Sequence, residues 1–194
     1  EANGLAQNTI LVVYSDHGME FFEHDTWGQG NSAIGDYSAR IPLLVSAPHL
    51  PAGGINNQVV RSIDLAPTLL DLTETPIPPQ IEGASLLPAL RDQSATLHLN
   101  AYNETGLWLT QLPGMHPEHL LYPNLLELLE VPDKERGTLA LKPEYRDRVI
   151  IAKDRMIRHE QWKLVMQPLS SGIHLSLYDL EADPSCSSDI LASM

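Results

Sequence analysis

The feature that most constrains the fold is an apolar run that ends abruptly in polar, ligand-capable side chains. Residues 10–14 read Ile-Leu-Val-Val-Tyr and are followed at once by Ser15-Asp16-His17-Gly18. A continuous run of strand formers is typical of a strand buried on both faces, such as a central strand of a parallel α/β sheet. Open α/β sheets bind ligands at the carboxyl ends of their strands. The run therefore predicts an α/β domain with a site at Asp16 and His17.

Asp16 and His17 place a carboxylate oxygen and an imidazole nitrogen side by side. Both groups bind divalent cations, at about 2.0–2.2 Å each for zinc. Two ligands do not complete such a site, so the others must come from elsewhere in a protein. For such a pair alone, an Asp16 that caps a turn beside a partly buried His17 is the commoner outcome, so the context decides.

A second apolar run, at residues 41–46, predicts another buried strand of the same sheet. Residues 19–40 between the two strands are too polar and too rich in glycine for a simple helical crossover. A long ordered loop beside a strand end is often functional. The loop is therefore the first place to look for substrate contacts.

Two helices are predicted further along the chain. Asp64 as a cap, Pro67 in the first turn and leucines on one face indicate a helix over residues 64–72. Ser85 is suited to cap a shorter helix over residues 86–91.

The second half of the chain differs from the first in its predicted secondary structure. Residues 116–130 are predicted to be helical towards their C-terminal end, and residues 131–146 to be irregular. Several short strands with tight connections indicate an antiparallel sheet, with Trp162 and Tyr178 in its core. These predicted strands lie at residues 97–102, 149–152, 156–158, 162–166 and 175–178.

Composition excludes several classes of function. A formal net charge of -13 argues against nucleic acid as a partner, because phosphate binding needs clustered Lys and Arg. It does not exclude a small anionic substrate, since a bound metal inverts the local field. The single cysteine, Cys186, excludes an internal disulfide framework and a Cys-rich zinc site. No apolar run is long enough to predict a membrane span in this segment.

Several motifs, in order and with matching spacing, resemble the sulfatase family of the alkaline phosphatase superfamily. Each is weak alone, but together they cover most of the chain apart from roughly residues 107–146. They read Asn8-Thr9-Ile10-Leu11-Val12-Val13 with Ser15-Asp16-His17-Gly18, Trp27-Gly28, Ala39-Arg40-Ile41-Pro42-Leu43-Leu44-Val45, Asp64-Leu65-Ala66-Pro67-Thr68-Leu69-Leu70-Asp71-Leu72, Glu82-Gly83-Ala84-Ser85-Leu86-Leu87, Trp162-Lys163-Leu164 and Leu177-Tyr178-Asp179-Leu180-Glu181-Ala182-Asp183-Pro184.

The resemblance implies a partial alkaline-phosphatase-like core with a parallel sheet, plus a small four-stranded antiparallel sheet. It implies that residues 1–105 are the C-terminal part of the catalytic α/β domain. Residues 106–146 would be an insertion that governs specificity, and residues 147–194 a truncated antiparallel subdomain. Localisation signals would then lie upstream, in an extracytoplasmic, for example periplasmic, or membrane-anchored parent protein.

The resemblance also implies that Asp16 and His17 are metal ligands, completing a site begun by acidic residues near the family's N-terminus. The nucleophile is expected before Glu1, so this segment contains no catalytic nucleophile. In sulfatases it is a formylglycine made from cysteine, but Cys186 lies in the tail and is not that residue. One divalent metal ion is implied: calcium in a sulfatase, or manganese or zinc in an enzyme that acts on phosphate or phosphonate esters.

Gln29 departs from the family pattern, which has a lysine or a histidine at this position of a Trp-Gly-x-Gly sequence. A unit charge 4 Å from a substrate oxyanion is worth about 4 kcal/mol at an effective dielectric of 20. A neutral hydrogen bond from glutamine contributes about 1 kcal/mol. Gln29 is therefore predicted to contact the ester, with His24 as a nearby source of charge that Glu23 and Asp25 would help to keep protonated. The alternative for His24 is a solvated loop histidine.

Two further sets of residues are weaker candidates. Glu20 and Glu23 could orient His17 from behind, although solvated loop acids are the commoner outcome. His116 and His119 are three residues apart and would share a face of a helix, where a metal could bind.

The leading hypothesis is metal-dependent hydrolysis of a sulfate monoester of a small molecule or glycan, performed by a longer protein of which this chain is part. A phosphodiesterase, a phosphonate ester hydrolase or a phosphoryl transferase of the same superfamily is the first alternative. A non-catalytic remnant that serves as a binding piece is the second. The sequence leaves the oligomeric state open.

Overall fold

The computed structural model describes residues 3–30, 32–106 and 115–191. The strands are short, and they are β1 (Leu11–Tyr14), β2 (Glu20–Phe21), β3 (Trp27–Gly28), β4 (Leu43–Ser46), β5 (Asn100–Glu104), β6 (Leu129–Asp133), β7 (Thr138–Leu141), β8 (Arg155–His159), β9 (Trp162–Leu169) and β10 (Gly172–Asp179). The helices are α1 (Leu65–Leu72), α2 (Leu87–Arg91), α3 (Leu125–Leu128) and α4 (Arg146–Ile151). The predicted α/β class is confirmed. No helix of the described ranges is long and apolar enough to cross a membrane.

The chain divides into two compact units, each built from separate stretches of sequence. The first comprises residues 1–16, 41–101 and 158–161, and the second comprises residues 17–40, 102–157 and 162–194. The division between the units falls between Asp16 and His17. The domain boundaries expected from the resemblance, after residues 105 and 146, stay predictions.

Strands β1 and β4 of the first unit pair antiparallel, with Leu11 opposite Ser46 and Tyr14 opposite Leu43. This corrects the prediction that they belong to a parallel sheet, and the parallel core expected from the resemblance is not seen among the described residues. The connection between the two strands contains the β2–β3 hairpin and no α-helix. A parallel pair usually needs a helical crossover, whereas a chain that returns beside its own strand end pairs antiparallel.

The β1–β4 pair is also less buried than the sequence predicts. Leu11, Val13 and Leu44 alternate onto one face, where they are 59%, 51% and 59% exposed. No element of the described ranges covers this face. The prediction that these strands are buried on both faces is therefore wrong for the chain as it stands.

The predicted helix α1 is confirmed, but Asp64 does not cap it. Its buried carboxylate instead accepts the Arg61 backbone N–H at 2.9 Å, the Arg61 guanidinium at 2.6 Å and the Ala84 N–H at 2.9 Å. A buried carboxylate needs this many donors to offset its lost hydration. Asp64 therefore ties the start of α1 to the turn before α2. Ser85 behaves as predicted, since its Oγ accepts the Leu87 N–H at 3.2 Å.

A four-stranded sheet has the order β10-β9-β8-β5, and β9 and β10 pair antiparallel along their length from Trp162 opposite Asp179 to Leu169 opposite Gly172. This confirms the predicted C-terminal antiparallel sheet. Tyr178 lies in its core with Met156 and Val165, whereas Trp162 is 39% exposed.

Two predictions of secondary structure in this half are wrong, and a third holds over a single turn. Residues 149–152 are not a strand, because helix α4 runs into them, with Val149 and Ala152 buried and Ile150 and Ile151 exposed, the three-residue spacing of a helix face. Residues 131–146, predicted to be irregular, contain most of the β6–β7 hairpin. Residues 116–130 are helical towards their C-terminal end as predicted, but only over the single turn α3, after which β6 begins at Leu129.

Candidate active site

Asp16 lies just after β1 and is exposed. The Ser15 hydroxyl donates to its Oδ1 at 3.4 Å. This weak bond orients the carboxylate without burying it. Asp16 thus keeps the solvent access that a metal ligand needs before it binds.

His17 is half-buried and belongs to the second unit. Its Nδ1 lies 2.8 Å from the Gly18 carbonyl oxygen, which can only accept, so Nδ1 carries the proton. The ring is thus held at Nδ1, and Nε2 is the nitrogen on its other side. Metal-binding histidines are typically oriented in this way, by donating the other ring N–H to a carbonyl or carboxylate. The chemistry of His17 therefore fits a metal ligand.

Gly18 is fixed by Ser38. The Gly18 N–H donates to the Ser38 carbonyl at 2.8 Å. A Cβ at Gly18 would overlap the carbonyl oxygen of Tyr37, so no other residue fits without moving the backbone. The close approach of these two backbone segments explains the glycine that follows His17.

Gln29 is exposed and stands between two glycines with left-handed backbones, Gly28 at φ 105° and Gly30 at φ 67°. The Gly30 N–H donates to Ser38 Oγ at 2.7 Å, and the Gly30 carbonyl accepts the Gly106 N–H at 2.8 Å. The turn is therefore held from both sides while the Gln29 side chain faces solvent. Ser38 binds the backbone beside both His17 and Gln29.

The hairpin before Gln29 carries three exposed aromatic rings. Trp27 packs edge-on against Phe21, with ring centroids 5.6 Å apart. It also packs against Phe22 in a tilted arrangement, with ring centroids 5.1 Å apart. Trp27 is nevertheless 55% exposed.

His24 lies at the tip of this hairpin in a left-handed conformation, with φ 51°. Its Nε2 donates to the Ser185 carbonyl at 2.6 Å, and its ring lies 6.1 Å from that of Tyr37. The contacts of His24 thus run to the C-terminal tail, and its predicted role at the substrate stays a prediction.

Glu20 and Glu23 hold backbone in the same loop. Glu20 is buried, and its Oε1 accepts the Ser32 N–H at 3.2 Å. Glu23 Oε2 accepts the Phe21 N–H at 2.5 Å. These bonds stabilise the loop that carries Gln29, and a role in orienting His17 stays a prediction.

His116 and His119 do not share a helix face, because residues 115–121 are not helical. The His119 ring is buried, with Nε2 2.5 Å from Asp154 Oδ1 and Nδ1 2.7 Å from the Leu120 carbonyl. With both nitrogens facing acceptor oxygens, His119 offers no lone pair to a metal. Within residues 3–30, 32–106 and 115–191, no group of three His, Cys, Asp or Glu side chains is arranged to hold a metal ion.

Sequence reasoning missed Lys163, which is completely buried. Its Nζ donates to the Gly35 carbonyl at 2.9 Å and to Asp36 Oδ1 at 2.8 Å. A signal was present, since Lys163 alternates with Val165 on the inward face of a predicted strand. A lysine at a core position requires a buried partner.

Comparisons with known proteins agree with the motifs. The family model Sulfatase matches residues 1–75. Arylsulfatase K of Canis lupus familiaris is 28% identical over 180 residues, which are 93% of this chain and 27% of that protein. A protein solved in complex with its substrate D-glucosamine-2-N,6-O-disulfate has a TM-score of 0.65 at 24% identity, over 98% of this chain and 31% of its own. The phosphonate monoester hydrolase of Silicibacter pomeroyi has a TM-score of 0.66 at 21% identity, over 98% of this chain and 32% of its own.

These neighbours share an alkaline-phosphatase-like α/β fold. The chain is similar to sulfatases, since the family model matches residues 1–75 and the likeness to Arylsulfatase K extends over 93% of the chain. It spans about a quarter of the length of its curated relatives, 27% of Arylsulfatase K.

Proposed function

We propose that this chain is the metal-binding and substrate-contacting part of a sulfatase that hydrolyses sulfate monoesters of small molecules or glycans. The observation that carries the proposal is the Ser15-Asp16-His17-Gly18 turn. It stands in sulfatase order with the other motifs, and the His17 ring is oriented by the 2.8 Å bond from its Nδ1 to the Gly18 carbonyl oxygen.

Asp16 and His17 are the residues that would hold one divalent metal ion, with further ligands from outside the described residues. Such an ion would stabilise negative charge on the transferring group and activate a nucleophile. The donor set offers one oxygen and one nitrogen. Manganese and zinc accept this combination readily, and calcium, which prefers oxygen, would depend more heavily on the remaining ligands.

Gln29 would donate a hydrogen bond to an ester oxygen from its exposed amide. The two left-handed glycines beside it and the bonds to Ser38 and Gly106 fix its backbone, so little ordering is left for substrate to impose. A neutral donor contributes about 1 kcal/mol where a cation would contribute about 4 kcal/mol. His24 is the nearest group in the loop that could add positive charge.

Phosphonate monoester hydrolysis is the second candidate function. Two observations support it: the nitrogen donor of His17 suits manganese or zinc, and no lysine stands at position 29. The two functions share the metal site and differ in the anion that is transferred.

The test compares the chain with a version extended by the sequence that precedes it in its gene. The extended protein should turn over an aryl sulfate with a divalent metal added, and a chelator should abolish turnover. Asp16→Asn should lower kcat/KM by about a thousandfold, because it weakens a metal ligand and its charge. Glu74→Gln, on an exposed residue after α1, is the matched control and should leave kcat/KM unchanged.

Three results would count against these expectations. Turnover that survives both chelation and Asp16→Asn would exclude the proposed metal site. A preference for an aryl phosphonate monoester over the sulfate would favour the second function. Turnover by the 194-residue chain alone, lost in Asp16→Ala, would contradict the expectation that further residues are required.

A further inference from the structure

We propose that Lys163 is a positioning residue of the candidate active site, acting from the C-terminal sheet through residues 35–38. It would hold the backbone beside His17 and the backbone beside Gln29 at the same time. The mechanical part of this inference stands on contacts within the second unit. Its catalytic consequence rests on the proposed function.

The Lys163 end of the connection is a buried charge pair. Lys163 is completely buried on β9, and its ammonium donates to the Gly35 carbonyl and to Asp36 Oδ1 at 2.9 and 2.8 Å. The Asp36 side chain is only 18% exposed. An ammonium taken out of water without partners is strongly unfavourable. If residues 35 and 36 moved away from β9, the Lys163 ammonium would therefore be left buried and unpaired.

The segment between the anchor and the site is tightly constrained. A Cβ at Gly35 would overlap the ring of Tyr37, so the chain passes that ring closely. The Asp36 carbonyl accepts the Arg40 N–H at 2.7 Å, which closes a helical turn over residues 36–40. A closed turn moves as one piece, so a shift at Asp36 is passed on to Ser38.

Ser38 holds the backbone beside both His17 and Gln29. Its carbonyl accepts the Gly18 N–H at 2.8 Å, directly after His17. Its Oγ accepts the Gly30 N–H at 2.7 Å, directly after Gln29. Ser38 is itself buried, 7% exposed, so water does not readily replace either bond. Loss of the anchor should loosen both backbones together.

The primary test is residue-resolved hydrogen exchange of the chain carrying Lys163→Met, which preserves the length of the side chain and removes the charge. The Gly18 and Gly30 amides should exchange at least about tenfold faster, equivalent to about 1.4 kcal/mol of opening free energy. Amides of the β9–β10 ladder should keep their protection. Lys153→Met is the matched control, because the Lys153 ammonium makes an ion pair of similar length, 2.7 Å to Glu104, instead of holding residues 35–38.

Two further variants keep the test decisive if Lys163→Met does not fold. Asp36→Asn weakens the same anchor from its partly exposed side and should accelerate both glycine amides. Ser38→Ala removes the hydroxyl but not the carbonyl, so it should accelerate Gly30 and leave Gly18 unchanged. The inference is overturned if the two glycine amides respond no more to the anchor variants than to Lys153→Met, or if the β9–β10 amides accelerate equally.

A kinetic test follows in the extended protein. Lys163→Met should lower kcat for an aryl sulfate more than Lys153→Met does when both are compared at temperatures equally far below their Tm. Equal kcat losses would contradict a positioning role. Should the unmutated protein show no sulfatase turnover, the proposed function fails, while the exchange experiment still decides whether Lys163 positions the backbone.

Discussion

Gly83 lies at a point where two backbone segments of the first unit meet. A Cβ at this position would overlap the Ile63 carbonyl oxygen, a rigid backbone atom immediately before Asp64. The same turn brings the Ala84 N–H to the Asp64 carboxylate at 2.9 Å. The glycine in the Glu82-Gly83-Ala84-Ser85 motif is thus required by close packing, not by an unusual backbone angle.

Gly83→Ala should lower the free energy of unfolding by about 2–3 kcal/mol, because the backbone must shift and the buried Asp64 loses geometry. Chemical denaturation measures the change. Gly54→Ala is the control, because the Cβ there meets only the end of the flexible Gln93 side chain. It should cost less than about 0.5 kcal/mol. Equal effects of the two substitutions would show that the backbone at Gly83 is free to adjust.

At the scale of elements, Glu104 at the end of β5 is linked to Lys153 and to Arg155 on β8. The hydrogen bond from Lys153 lowers the pKa of Glu104 below its ordinary value of 4.5, with smaller contributions from Tyr102 and Arg155 against the opposing effect of burial. The pair is partly exposed, so solvent screens it and its contribution to stability is at most about 1 kcal/mol. It supports the sheet edge modestly.

Because the pKa of Glu104 is depressed on folding, its stabilisation is present above pH 4.5 and is lost as the pH falls through the folded-state pKa. Lys153→Met should therefore destabilise the chain by about 0.2–1 kcal/mol at pH 7, and the difference from wild type should shrink towards pH 3. Urea unfolding at both pH values tests this. Lys134→Met, on an exposed hairpin residue, should show no such pH-dependent difference. A Lys153→Met effect that grows at low pH would contradict the assignment.

The elements predicted correctly are those whose signals are local. Helix α1 follows from Pro67 and the leucine spacing within eight consecutive residues. Residues 149–152 were mispredicted because a short apolar run fits either a strand or a helix, and the burial of Val149 and Ala152 with Ile150 and Ile151 exposed decides for the helix. The antiparallel pairing of β1 and β4 depends on the path of a long loop, which hydrophobic patterning does not encode.

In the candidate site too, residues with local sequence signals were predicted and residues that act through long-range contacts were not. Asp16, His17 and Gln29 are readable from the sequence because ligand-capable residues and glycines stand within a few positions of one another. The supports of His17 and Gln29 are not readable, because they come from far along the chain. Lys163 and Asp36 are separated by 127 positions, and His24 and Ser185 by 161. Such pairings are decided by tertiary packing, so residues that position a site are harder to predict than residues that form it.

At the scale of the whole molecule, the exposed β1–β4 face is a surface whose environment would change if further chain of the proposed sulfatase covered it. Leu11, Val13 and Leu44 form a contiguous apolar patch on a two-stranded sheet, which is marginal on its own in water. If the sulfatase fold continues over this face in an extended protein, these side chains become core residues there. The same substitution should then be nearly neutral in the chain alone and strongly destabilising in the extended protein.

Leu44→Lys tests this directly. In the 194-residue chain it should change the free energy of unfolding by less than about 0.5 kcal/mol and raise solubility, because the side chain is 59% exposed. In the extended protein it should cost more than about 3 kcal/mol, since a lysine would be buried without a partner. Leu126→Lys, at a leucine that is 88% exposed, is the control and should be neutral in both. If Leu44→Lys is as stable as Leu126→Lys in the extended protein, this face stays in water there. The apolar run before Asp16 would then be stabilised by the β1–β4 pairing alone.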